Sequence, residues 1–239
     1  MLKIDPAVWA AFPQAKMGAL VIEGVPTGVK LAPDEAEAGF RAIEQRYGSQ
    51  DRKVLKQMPP IDAYTAYYKK FGYSYPVLAQ LESVLAGKKT LHPQSGLLQA
   101  MFLCEIESMV ITAGHDLARL SGPLRVQVAR GDETYRSISK REVAAVPGDL
   151  LVRDDNGVIS SMMRGPDEGS RITAQTTGVF FVLYAPPVIK TQTVEAALKL
   201  LEKRVRSFAP GCTTKLLKVY EQEYPYGDKR QRKHKGPPW

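Results

Sequence analysis

Residues 97–114, LLQAMFLCEIESMVITAG, lead through Gly114-His115-Asp116 and residues 117–122, LARLSG, into residues 123–135, PLRVQVARGDETY. The first part is apolar at helical spacing and carries two carboxylates, Glu105 and Glu107, while the last part alternates with the period of a half-buried strand. The reading is a helix over 96–110, a turn at Gly114-His115-Asp116, and a strand leaving it. Glycine permits close backbone approach at such a junction, and His115 and Asp116 then stand at the mouth of a pocket walled by the helix and floored by a sheet. Ordinary packing is the alternative reading of the same residues.

Upstream, residues 17–25, MGALVIEGV, alternate as a first strand, and Pro26-Thr27-Gly28 stops it. Asp34 with Glu37 three residues on has capping-box spacing, and Ala36, Phe40, Ile43 and Tyr47 follow as the apolar stripe of a helix over 34–47. Residues 50–58 are polar and basic. Pro59-Pro60 then opens a helix over 60–71 whose Tyr64, Tyr67, Tyr68 and Phe71 form one aromatic face. That face reads as core, with a nucleobase-stacking platform flanked by Lys69 and Lys70 as the alternative. A further helix spans 76–87.

Downstream, residues 148–161 read as a hairpin turning at Asp154-Asp155-Asn156-Gly157, where turn chemistry accounts for both aspartates. Residues 171–185, RITAQTTGVFFVLYA, read as one long buried strand, in which Thr173 and Thr176 are strand formers or hydroxyl donors to a ribose or water. Residues 193–208 make an amphipathic helix with Lys199, Lys203, Arg204 and Arg206 facing out. The fold class is α+β: one domain with a mixed β-sheet flanked by helices over 1–210, followed by a basic, flexible tail over 211–239.

With 239 residues, 44% hydrophobic and 24% charged, the composition is that of a soluble globular protein, and no apolar run reaches bilayer length. The expectation is a cytoplasmic protein without a membrane partner. Two cysteines and three scattered histidines give no disulfide framework and no metal spacing, so neither metal nor cofactor is expected. A net charge of +8 favours an anionic partner. Lys229, Arg230, Arg232, Lys233 and Lys235 concentrate that charge near the C-terminus, either as a phosphate-binding arm for tRNA or as a solubilising tail.

The order of Pro59-Pro60-Ile61, Tyr64, Tyr67 and Phe71-Gly72, the junction at 113–122, Gly131-Asp132-Glu133, Pro147-Gly148-Asp149, Arg164, and Thr173 with Thr176 resembles the free-standing B3/B4 domains. These are similar to the editing domain of the phenylalanyl-tRNA synthetase β subunit. The resemblance covers residues 8–190 and rests on collinear order, since each motif alone is short. It implies a trans-editing hydrolase that deacylates a mischarged aminoacyl-tRNA, with tRNA as partner and a homodimer or a transient synthetase contact as protein partners. A non-catalytic tRNA-binding or synthetase-associated module is the rival.

Position by position the family's machinery is incomplete. Asp116 fits the aspartate of its turn, but the histidine position falls on Ala113 and the later glutamate position on Val182. Phe102 stands where free-standing members carry Asn, and Met162-Met163 where they carry Trp. The catalytic candidates are therefore His115, Asp116, Thr173 and Thr176, and the substrate-binding candidates Glu105, Glu107, Arg164 and Tyr67. One of the two glutamates facing a pocket would select a cationic, arginine- or lysine-like side chain. Residues two apart on a helix diverge, so the other faces away.

Overall fold

In the computed structural model, which describes residues 2–91 and 95–222, the chain runs β1 (Lys3–Ile4), α1 (Pro6–Ala11), β2 (Lys16–Glu23), α2 (Pro33–Tyr47), α3 (Arg52–Gln57), α4 (Pro59–Lys70), α5 (Pro76–Leu85) and α6 (Gly96–Ser108). It continues through β3 (Thr112–Asp116), a 3-10 turn (Leu117–Arg119), β4 (Arg125–Val128), β5 (Thr134–Arg136), β6 (Glu142–Ala144), β7 (Leu150–Arg153) and β8 (Val158–Ser161). The last elements are β9 (Gly165–Pro166), β10 (Gly178–Ala185), α7 (Thr191–Phe208) and β11 (Thr213–Glu221). The α+β class is as expected from the sequence. The mixed sheet is the five-stranded β1-β4-β7-β8-β9, and beside it stand an antiparallel sheet β11-β2-β10-β3 and a β5-β6 hairpin. Among the described residues, β1 on β4 is the one parallel pairing.

The apolar run of β10 is buried from Val179 to Ala185 because it lies between β2 and β3. Helix α7 crosses β2 closely enough that a Cβ on Gly18 would stand 2.9 Å from Val194 Cγ1, so hydrogen is the side chain this contact admits. One contiguous core joins both larger sheets to the helices, and a small second cluster around Tyr135, Leu151 and Val158 sits under the β5-β6 hairpin. Cys104 and Cys212 are both buried free thiols.

Several expectations are corrected. Gly114-His115-Asp116 is no turn. Met109 takes a left-handed conformation (φ 56°) that ends α6, and the chain enters β3, whose five residues are all buried. Local periodicity does not reveal this because the apolar run continues across the break. Helix α2 starts at Pro33 with Ala32 as an N-cap without a side-chain bond, so Asp34 and Glu35 serve the helix dipole in the first turn. Residues 52–57 form α3, capped by Asp51, where the sequence showed only polarity. Of the long strand expected from 171 to 185, the first seven residues are irregular, so Thr173 and Thr176 are loop residues. Residues 213–221, expected to belong to the tail, form β11 along the outer edge of β2. The basic residues Lys229, Arg230, Arg232, Lys233 and Lys235, together with His92 and His234, lie outside the described residues.

The hairpin reading of 148–161 is matched by the antiparallel β7-β8 pair. Asp154 Oδ1 accepts the N–H groups of Asn156 and Gly157, as the turn requires.

Candidate functional site

The aromatic stripe of α4 determines the shape of the site. Its rings point inward, which removes the stacking-platform reading for that face, and their hydroxyls reach the backbone of neighbouring elements. Tyr64 donates to the Tyr184 carbonyl and accepts the Ile111 N–H at 3.1 Å, and Tyr68 donates to the Met162 carbonyl at 2.8 Å. Beyond the helix, Tyr75 donates to the Met109 carbonyl at 2.9 Å, holding the left-handed turn between α6 and β3. Tyr67, expected to touch substrate, instead donates to Asp149 Oδ1 at 2.9 Å within the core.

Asp149 is fully buried. Its Oδ1 also accepts the Leu150 N–H at 2.8 Å, and its Oδ2 accepts the Met163 N–H at 2.9 Å. Burial pushes its carboxyl up from the usual range, while the N–H and hydroxyl donors around it pull the other way. The result is a fixed loop at 162–164, with the Arg164 N–H donating to Ser161 Oγ at 3.0 Å.

Between this loop, α5, the end of α6 and β3 lies a cavity of about 420 Å³, within the range of small-molecule sites. Glu105, Thr112, Ala113, Ser161, Arg164 and Tyr184 border it, and Tyr68 and Tyr73 close its α4 side. Glu105 Oε1 accepts the Thr112 backbone N–H at 2.9 Å. The residue is half-buried, bordering the cavity, and the packing around its carboxyl pushes its pKa up to about 7, with the Thr112 bond opposing the rise.

The second glutamate goes elsewhere. Glu107 pairs with Arg204 of α7, with 18% and 10% of the two side chains exposed, and its carbonyl accepts the Tyr47 hydroxyl. This corrects the outward placement of Arg204. Arg206 is likewise engaged, with Glu202 Oε1 at 3.2 Å and Thr214 Oγ1 at 2.9 Å, leaving Lys199 and Lys203 as the exposed cations of that group. Arg164 is exposed at the rim with its guanidinium 5.2 Å from the Tyr73 ring centroid. Arg171 is engaged with Glu168, whose carboxylate lies 3.5 Å away.

The four catalytic candidates do not line this cavity. His115 is fully buried in β3, its Nδ1 2.7 Å from Ser170 Oγ, its Nε2 without a hydrogen-bond partner, and its pKa lowered to about 3 by burial. Asp116 accepts the Ala118 N–H at 3.0 Å and the Thr176 hydroxyl at 2.7 Å, and Thr176 Oγ1 accepts the Thr173 N–H at 3.0 Å. These bonds tie the irregular 171–177 segment to the end of β3, a structural role. Sequence reasoning missed Thr112, Ser161, Tyr184 and Asp149 as pocket-forming groups. The Pro147-Gly148-Asp149 motif was a signal for the last of them, but no short motif marks the others.

Among the described residues no group of His, Cys, Asp and Glu is placed to hold a metal ion, and no helix is long and apolar enough to cross a membrane. No curated protein matches the chain. It is similar to a solved N-terminal fragment of the phenylalanyl-tRNA synthetase β-subunit from Pyrococcus horikoshii, with a TM-score of 0.47 and 13% identity over 90% of this chain and 50% of that one. This chain thus spans about half the length of that fragment. Residues 105–218 match the B3/4 domain family model. They include Glu105, β3, the 162–166 loop and Tyr184, while Tyr68, Tyr73 and α5 supply the remaining wall from outside the matched segment, so the cavity lies between a segment similar to the B3/4 domain and helices that precede it in the chain.

Proposed function

We propose that the chain is a trans-editing hydrolase that deacylates a mischarged aminoacyl-tRNA carrying a basic, arginine- or lysine-like amino acid. The observation that carries this reading is the carboxylate of Glu105 on the wall of the cavity, with Arg164 at its rim. A half-buried carboxylate favours a cation and disfavours an apolar side chain of similar size. Glu105 is the group that receives the substrate's cationic end, and Arg164 is oriented for the polyanionic carrier. In the reaction water adds to the ester carbonyl, the ribose oxygen leaves with one of the water's protons, and the amino acid is released as its carboxylate with the second proton passing to solvent. An aminoacyl ester is already activated, so fixing the ester and one water in register supplies a large part of the rate.

The rival, a non-catalytic tRNA-binding or synthetase-associated module, is favoured by a specific observation: His115 is sealed in β3, so among the described residues no histidine base faces the cavity. A panel of aminoacyl-tRNAs incubated with the full chain separates the two. Release of a basic amino acid from a mismatched tRNA, with correctly charged tRNA left intact, is the expected result. Binding of these tRNAs without any release favours the module instead.

A further inference from the structure

We infer that Tyr73 and Arg164 form a stacking subsite for the terminal nucleobase of a bound RNA at the mouth of the Glu105 cavity. This rests on the editing reading for its ligand and deepens it. The five tyrosines between positions 64 and 75 differ sharply in environment: Tyr64, Tyr67, Tyr68 and Tyr75 are 0–8% exposed, whereas Tyr73 is 38% exposed. Each buried ring has a hydroxyl bond into the core.

Tyr73 owes its position to the end of α4. Gly72 takes φ 79°, and the Tyr73 N–H returns to the Tyr68 carbonyl at 3.0 Å, the six-to-one closure of a Schellman ending. An apolar residue at that position ordinarily folds back onto the last helical turn. Here the ring borders the cavity instead, with a guanidinium over it. The backbone on both sides of the pair is fixed, by the helix ending under Tyr73 and by the Ser161 Oγ bond to the Arg164 N–H at 3.0 Å. No carboxylate forms an ion pair with Arg164 among the described residues.

An exposed ring beside an unpaired planar cation, over a cavity holding a carboxylate, presents three complementary elements to one molecule. The ring and guanidinium plane receive a nucleobase, the guanidinium edges receive phosphate, and Glu105 receives the amino-acid cation. An aminoacylated 3′-terminal nucleotide carries all three groups on one ribose. A free basic amino acid offers a carboxylate to the guanidinium but nothing to the ring.

The test uses the full chain and a non-hydrolysable probe, a short RNA ending in CCA with lysine joined through a 3′-amide, beside the same probe ending in an abasic ribose. Wild type and Tyr73→Phe are expected to bind the adenine-ended probe more tightly, by roughly five- to a hundredfold. Tyr73→Ala should bind both probes alike, and its melting curve should be unchanged because the ring is exposed. Arg164→Lys, keeping charge without the plane, should lose a large part of the preference. Equal binding of both probes by wild type, or an undiminished preference in Tyr73→Ala, overturns the subsite. If no aminoacyl-tRNA is hydrolysed yet the Tyr73-dependent preference is present, editing fails and the subsite stands. Hydrolysis without that preference has the opposite meaning.

Discussion

Ala113 on β3 and Val182 on β10 are direct register partners in the antiparallel sheet. The resemblance read from the sequence assigned to these two positions a histidine and a glutamate. The two positions stand opposite one another beside a cavity that Ala113 borders, and neither carries a titrating group. The carboxylate that remains, Glu105, enters from α6 rather than from the sheet. Any chemistry here therefore depends on positioning more than on an inherited acid–base pair.

Glu105→Gln keeps the shape of that wall and removes its charge. Turnover of a basic aminoacyl-tRNA should fall about ten- to a hundredfold, as expected for loss of a charged hydrogen bond. Single-turnover deacylation measures this, and an unchanged rate, or a preference for apolar amino acids, refutes the cationic pocket.

The pH dependence has a definite sign. Burial raises the Glu105 carboxyl from its ordinary 4.5 to about 7, so the folded state holds an extra proton between these values. Its contribution to stability is full below pH 4.5 and is lost as pH rises through 7. Binding of a cation needs the ionised form, so affinity for a basic substrate should rise with pH through the same window. The Gln variant should lack that limb in a binding titration from pH 5 to 8.

His115 has the opposite sign. Its pKa is lowered to about 3, so the stability it confers is full above the unfolded value of about 6.5 and is lost as pH falls towards 3. A His115→Gln variant should show a flatter loss of denaturation midpoint between pH 6 and 4 than wild type, with deacylation retained wherever the variant is folded.

Glu107→Gln should damage stability rather than specificity. It leaves Arg204 without its anion between α6 and α7, where Arg204 Nε already lacks a hydrogen-bond partner. The expected loss is about 3 kcal/mol, the low end for a buried pair, since part of each side chain still meets solvent. Urea denaturation measures it, and substrate preference in the folded fraction should match wild type.

Asp149→Asn should loosen the pocket from behind. One of its oxygens becomes an amide nitrogen that faces a donor, either the Met163 N–H or the Tyr67 hydroxyl and the Leu150 N–H. A cost of about 1–3 kcal/mol is expected, with a rise in KM as the 162–164 loop loses its anchor. A pocket that binds its substrate equally well in this variant would show that the loop is held by other contacts.

The sequence by itself determined helices α2, α4, α5, α6 and α7, the β7-β8 hairpin, the buried β10 core and the inward face of α4, because each is a local pattern of apolar and turn residues. It also made plain that Glu105 and Glu107 must part company, which follows from helical geometry alone. Which of them meets the cavity was decided only in three dimensions, by Arg204 arriving from α7 nearly a hundred residues later. The same holds for His115: Gly and His-Asp read locally as a turn, yet pairing with β10 and the left-handed Met109 make it a strand and seal the imidazole. Residues 213–221 look like the start of a basic tail until the open edge of β2 gives their backbone a partner. Long-range hydrogen bonds and ion pairs have no periodicity in the sequence, so what they decide is legible only in the folded chain.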